Sequence, residues 1–503
     1  MKKFNLFLIS VMITCGLAAQ DFDEEIQVRL VELDVKITNN AGTFINDLPK
    51  GAFRVTENGV PVTIEKFQEI NVPNLSAAEK RALQPRVMLV LDLKNTSFSR
   101  MKRTFPQLLQ YADTLFSQHS QIGLAINAEG YAEVLPFTHD QAAFRQAVLD
   151  SEKYYQRSKY RILRPENTMS TSSNYRLHDV TRGPDSLGGE KKTAQEFIQE
   201  ARYEYDEEGP ISGVGNTQFS GRITGTDENR YLYSELQALG QFVNFLGAYS
   251  GKKSVILVSQ FWDIPLSEKV LRNTITTCVQ QKITLNVLGY GQGPNEADTK
   301  DVYTADQSGF GLGTLASLAA NTAGFSRTIE YRQLPTMIEK TIAVTEHYYR
   351  ISYYSDLDND KYRKIRVRVP QSSYSVATFS GFNPASRSIT AETSAATLSK
   401  STLENADLNL SMTTAWMDWE WSSIGRRKAY FAVGQRAYDS DGNIIGEKVE
   451  GGQLVRRKYD GVFEELLLEK EYVLNLPPDA KLARLEFVVV DLATGKTVAV
   501  DKI

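Results

Sequence analysis

Three short apolar runs, VMLVLDL at 87–93, SVILVS at 254–259 and ITLNVL at 283–288, constrain this chain more than any other feature. Runs of this length without polar alternation describe strands buried on both faces, which is how helix-covered parallel sheets bury theirs. Between them lie amphipathic stretches with three- and four-residue apolar spacing. One runs from about 98 to 117, a second carries Leu232, Leu236, Leu239, Val243 and Leu246, and a third carries Val270, Leu271, Ile275, Cys278 and Val279. GLAIN at 123–127 and YAEVLPF at 131–137 add strands, and Leu315–Ala323 and Leu334–Thr345 add helices. Alternating strands and helices predict an α/β open sheet. YYRISYYS and RKIRVRV, with Asp356, Asp358 and Asp360 in the turn between them, are expected to end that sheet as antiparallel edge strands.

The flanks have a different rhythm. Val31, Leu33, Val35 and Ile37 alternate, and Asn58-Gly59 separates Phe53 and Val55 from Val62-Thr63-Ile64, a strong hairpin signal. These features predict a small β (Ig-like) module over 20–73, joined by a linker to an α/β domain over 85–383. Residues 152–228 interrupt the α/β pattern with a Tyr-, Arg-, Gly- and Ser-rich tract that reads as a partly ordered insertion. The Ser/Thr/Ala-rich stretch 384–404 reads as a second linker. Short strands from Ala429 to Val490, with a turn at Asp439 to Asn443, predict a β-sandwich over 405–503.

The first nineteen residues carry two lysines, an apolar run from Phe4 to Ile13 and small residues at Ala18 and Ala19, the pattern of a cleaved signal peptide. Met12, Ile13 and Thr14 do not match the small residues expected ahead of a lipidated Cys15. An exported chain, periplasmic or at the cell surface, with no later membrane span follows as an expectation. With the leader removed, Cys278 is the only cysteine, so no internal disulfide is available. Its place in an apolar helical register reads as an inert buried thiol. A net charge of -4 with both signs interspersed gives no basic field for nucleic acid or anionic lipid.

The strand ending in Asp92, the helix after it and the order of elements through Leu288 resemble a von Willebrand factor type A domain, a Rossmann-type open sheet. With the N-terminal segment VRLVELDVKITNNAGTFINDLPKGAFRVTENGVPVTIEKF and a C-terminal β domain, the chain is similar to the exported type A-related proteins common in Acidobacteria. The resemblance implies a divalent-ion site at the carboxyl edge of the sheet, built from a DxSxS sequence, a threonine loop and an Asp after the fourth strand. Hard oxygen donors on converging loops suit Mg²⁺ or Ca²⁺. Here Asp92 matches the leading acid, Lys94 replaces the first Ser, Thr96 stands for the second, and Thr226 follows Gly225 as the threonine loop would. Gln260 replaces the later acid, with Asp263 the one carboxylate close by. An ammonium at 94 and an amide at 260 remove two attractions for a dication. The expectation is therefore no cofactor and a metal-free partner-binding edge of Asp92, Lys94, Thr96, Thr226 and Gln260. If a metal binds, its ligands would be Asp92, Thr96, Thr226 and Asp263. Asp92 also has a purely structural reading, as an acid capping the loop or helix that follows its strand.

Other motifs carry less chemistry. Gly289, Gly291 and Gly293 follow a strand, but Pro294 and polar residues stand where a nucleotide-binding helix should begin. Lys361 and Val367 break the calcium-loop pattern that Asp356, Asp358 and Asp360 suggest. Trp416, Trp419 and Trp421 read as packing aromatics, and His119, His139, His178 and His347 lack ligand spacing. No nucleophile motif appears, so the reading is not an enzyme but a binding, scaffold or adhesion protein whose partner is another envelope or extracellular protein. A metal-dependent adhesion module is the alternative, with an uncharacterised hydrolase more remote.

Overall fold

A computed structural model describes residues 28–39, 43–76, 79–80, 83, 85–96, 98–116, 121–128, 130–157, 228–260, 268–290, 313–356, 362–371, 373–382, 394–401, 405–413, 417–418, 420–421, 426–457, 467–476 and 481–502. The signal-peptide expectation and all but the ends of the 152–228 insertion lie outside these residues. Among the described residues no helix is long and apolar enough to cross a membrane.

The central unit grows from the apolar runs. Strands β5 (Arg86–Asp92), β8 (Lys253–Ser259) and β9 (Ile283–Tyr290) are buried at every position. With β6 (Gln121–Asn127), β7 (Tyr131–Thr138) and β10 (Ser326–Ile329) they form one sheet in the order β10-β9-β8-β5-β6-β7. All neighbours are parallel except β7, which returns antiparallel beside β6. Helices α1 (Phe98–Phe116), α2 (Gln141–Arg157), α3 (Glu228–Leu246), α4 (Glu268–Gln280), α5 (Gly313–Asn321) and α6 (Leu334–Thr345) cover it. Two apolar clusters, one on each face, explain why the strands show no alternation. On α1, Met101, Phe105, Leu108, Ala112 and Leu115 bury one stripe at helical spacing. Tyr155, at the start of the stretch expected to be an insertion, is instead in this core, stacked on Phe98 at 5.3 Å. Cys278 is buried on the opposite face, and burial pushes its thiol up to about 12, which keeps it protonated and inert.

The N-terminal module is not a continuous piece of chain. Strands β1 (Val28–Thr38), β2 (Arg54–Glu57), β3 (Val60–Val62) and β4 (Lys66–Asn71) are joined by β11 (His347–Asp356), β12 (Arg363–Arg368), β13 (Ser375–Ala377) and β14 (Gly381–Phe382), which follow the α/β unit. The sheets run β13-β1-β11-β4 and β14-β12-β2-β3. They share a core of Leu33, Val35, Val55, Tyr349, Ile351, Tyr353, Ile365 and Val367. This corrects the expectation that YYRISYYS and RKIRVRV end the α/β sheet. In β11 the residues Tyr349, Ile351 and Tyr353 face one core in alternation, the pattern of a sandwich strand covered on one side. The Asn58-Gly59 turn forms as expected, with φ of 50° and 86° at its two centres, the left-handed pair that a tight β2–β3 hairpin requires.

The C-terminal unit pairs β15 (Ser394–Ser401), β16 (Asn405–Thr413) and β20 (Leu467–Asn475) in one sheet. The other contains β17 (Glu420–Trp421), β18 (Arg426–Tyr438), β19 (Ile444–Arg457), β21 (Arg484–Asp491) and β22 (Thr497–Lys502). The stretch expected to be a linker thus contains a strand, because ladder hydrogen bonds come from the backbone and its small residues do not block them. Phe431, Val433, Phe487, Val489 and Leu474 share the core of this unit.

The other face of β18 docks on the α/β unit. Ala432, Val449, Val490 and Leu492 belong to the same apolar cluster as the α3 residues Phe242 and Phe245. At Gly434 a Cβ would meet the Ala248 carbonyl oxygen at 2.2 Å, so only glycine admits this approach. Asn244 Nδ2 donates to the Leu492 carbonyl at 2.8 Å. Charges buried at the seam are paired: Arg86, at the start of β5, bridges to Glu447, which also accepts from Arg436 Nε at 3.0 Å and from the Ser250 amide at 2.8 Å. Arg436 continues to Glu486 at 2.9 Å and to the Ala248 carbonyl at 2.7 Å. Burial works against ionised Glu447, but Arg86 and Arg436 outweigh it and hold its carboxyl below the usual range. The N-terminal sandwich docks with similar chemistry. Lys36 Nζ donates to the Ala323 carbonyl at 2.9 Å, and Lys252 pairs with Asp34 at 2.8 Å while lying over the Tyr348 ring.

Two measurements check the seam. Glu447→Ala leaves two arginines buried without their shared acid, so denaturant unfolding should lose about 3–5 kcal/mol, whereas an unchanged midpoint would contradict the pairing. Glu133, on β7, accepts from the Tyr249 hydroxyl at 2.8 Å, and burial pushes its carboxyl up to about 7. With a folded pKa above the unfolded value, the native state holds the extra proton, so stability falls as pH rises from about 4.5 through 7. Glu133→Gln should therefore melt higher than the parent at pH 8, by about 1–3 kcal/mol of stability, and match it at pH 4; equal melting at pH 8 refutes the assignment.

Candidate functional site

In a doubly wound sheet the strand order reverses at one point, and side chains at the carboxyl ends of the strands there converge on a crevice. Here the reversal falls between β5 and β8, which are direct neighbours, and their last residues are Asp92 and Ser259.

Asp92 is completely buried at that point. Its Oδ1 accepts from the Asn95 amide at 3.1 Å, from Asn95 Nδ2 at 3.1 Å and from Asn127 Nδ2 at 3.0 Å. Its Oδ2 accepts from Asn95 Nδ2 at 3.1 Å and from Ser259 Oγ at 2.6 Å. The donors stand on the loop after β5, the end of β6 and the end of β8, so one carboxylate ties three carboxyl ends together. The loop is fastened again by the Lys94 amide, which donates to the Asn127 carbonyl at 3.0 Å. Lys94 and Gln260 are buried at 5% and 3% exposure, which puts both residues within the packed edge. Thr96 is wholly buried, and its Oγ1 has no hydrogen-bond partner among the described residues. Beside this group, at the end of β9, the Tyr290 hydroxyl meets that of Thr104, and Arg100 reaches the Tyr290 carbonyl at 3.4 Å.

Of the expected edge residues, Asp92, Lys94, Thr96 and Gln260 lie at the ends of β5 and β8. Thr226 and Asp263 lie outside the described residues. Asn95 and Asn127 were not singled out from sequence. Asn127 ends the apolar run GLAIN as Asp92 ends LVLD, and that shared signal of a polar residue closing a buried strand could have found it. Among the described residues no group of three or more His, Cys, Asp or Glu side chains is arranged to hold a metal. His347 stacks on Phe44 at 3.8 Å and meets Glu69 at 2.8 Å within the N-terminal sandwich. Gly289 lies inside β9, Asp356 ends β11 and Trp421 lies in β17. Gly291, Gly293, Asp358, Asp360, Trp416, Trp419, His119 and His178 fall outside the described residues.

No family model and no curated protein matches the sequence. Among solved structures, an aerotolerance-related membrane protein from Bacteroides fragilis is similar over 51% of this chain and 98% of its own, at 10% identity and a TM-score of 0.26. Proximal thread matrix protein 1 from the mussel byssus, with a zinc-occupied MIDAS motif, is similar over 52% of this chain and 48% of its own, at 11% identity and a TM-score of 0.25. The manganese-loaded TRAP protein of Plasmodium vivax is similar over 63% of this chain and 98% of its own, at 12% identity and a TM-score of 0.25. At such values the fold rests on the sheet itself, with its single antiparallel edge strand and its reversal between β5 and β8. On that topology, the centre of this chain is an α/β open-sheet domain.

Proposed function

We propose that this chain is an exported protein-binding or scaffold protein whose type A-like domain recognises another envelope or extracellular protein at the carboxyl edge of its sheet, without a metal ion and without catalysis. The observation that carries the reading is the packed polar group at the β5–β8 reversal, where such sheets place their sites. The residues there suit recognition better than they suit a dication. Lys94 brings a positive charge into the loop that would supply ligands, Gln260 offers an amide in place of an acid, and both oxygens of Asp92 are engaged by N–H and O–H donors. The two β units, docked through buried contacts, supply a stiff frame for presenting that edge. A second reading, a divalent-ion-dependent adhesion module, draws on the Thr96 hydroxyl, which has no partner among the described residues and is an oxygen of the kind a cation would take.

Capture of envelope proteins by the immobilised full chain separates the two. The same partner should be retained in EDTA and in millimolar Mg²⁺, and Ser99→Arg, which places a long cation at the half-buried start of α1 beside the edge, should weaken its capture at least tenfold while circular dichroism stays unchanged. Capture only with Mg²⁺, or capture indifferent to Ser99→Arg, contradicts the proposal.

A further inference from the structure

We infer that Asp92 is a hydrogen-bonded hub standing where related folds would place a cation, so that the carboxyl edge of the sheet is assembled permanently and is not gated by divalent ions. The inference deepens the recognition reading above and rests on it for the role of that edge.

An ionised carboxylate offers about four lone-pair directions. Asp92 uses its two oxygens for Asn95 N, Asn95 Nδ2, Asn127 Nδ2 and Ser259 Oγ, which fills that capacity. Three of these donors are nitrogens bearing hydrogens, which cannot ligate a hard cation. To bind an ion through Asp92, the edge would have to break hydrogen bonds that hold the ends of β6 and β8 to β5. The donors come from segments far apart in sequence: Asn127 is 35 positions from Asp92 and Ser259 is 167. The hub therefore performs the cross-linking that a bound ion performs when its ligands come from separate loops. It does so with groups the chain always carries, and hydrogen bonds to a charged acceptor are among the stronger kind. Lys94, buried in the same loop, adds a positive charge that further disfavours a dication.

Thermal melting of the full chain in EDTA and in millimolar Mg²⁺, Ca²⁺ or Mn²⁺ tests this without any partner present, so failure of the recognition reading leaves the outcome untouched. The melting temperature should agree within about 1 °C across all four conditions, since a ligand that does not bind the native state cannot stabilise it. Asp92→Asn, which turns one acceptor oxygen into a donor facing donors, should lower it by several degrees, and Asn127→Ala and Ser259→Ala by less each. If Asp92→Asn does not fold, the cation series on the parent chain still decides. A rise of several degrees with any of the three ions overturns the inference, and so does an Asp92→Asn chain that melts with the parent.

Discussion

The pairing of β1 with β11 is the contact on which the rest of this molecule depends. The two strands meet in antiparallel register from Val28 opposite Asp356 to Val35 opposite Tyr349, and the whole α/β unit lies between them in the chain. Closing so long a loop costs only logarithmically more than closing a short one, so the insertion is thermodynamically tolerable. Its effect is architectural. Helix α6 ends at Thr345 and β11 begins at His347, so the α/β unit leaves directly into a central strand of the sandwich. Polar contacts at the same junction, Lys36 to Ala323 and Lys252 to Asp34, then hold the two units in one orientation.

Strand β5 joins the two chemically important ends of the central sheet. Its first residue, Arg86, reaches the seam with the C-terminal unit, where Glu447 and Arg436 complete a buried ion-pair chain. Its last residue, Asp92, gathers the ends of β6 and β8. Buried charges of this kind contribute little when complete and cost heavily when broken, so they specify an arrangement more than they stabilise it. The acids at the seam and at the edge follow the same rule: Glu447 and Asp92 are each met by partners from more than one element.

What could be read from the sequence followed from local pattern. Continuous apolar runs located β5, β8 and β9, three- and four-residue spacing located the helices, and Asn58-Gly59 located its hairpin. What could not be read depended on long-range partners. The alternation of Tyr349, Ile351 and Tyr353 was visible, but which sheet it served was decided by Leu33 and Val35, hundreds of residues earlier. The strand β15 was hidden because its ladder is made by the backbone. At the site, Asp92, Lys94 and Gln260 were found through the resemblance, whereas the role of Asn127 appears only once β5 and β6 lie side by side, and that of Asn95 only in the fold of the loop after β5.

On the proposed reading, hydrogen bonds and not an ion complete this edge. Anomalous diffraction at the manganese edge, from crystals of the full chain grown in millimolar Mn²⁺, tests it most directly. The expected result is no anomalous peak near Asp92, with the Ser259 hydroxyl still within hydrogen-bond distance of its carboxylate. A manganese peak within coordination distance of Asp92 Oδ1 or Oδ2, with Asn127 turned away, would contradict it.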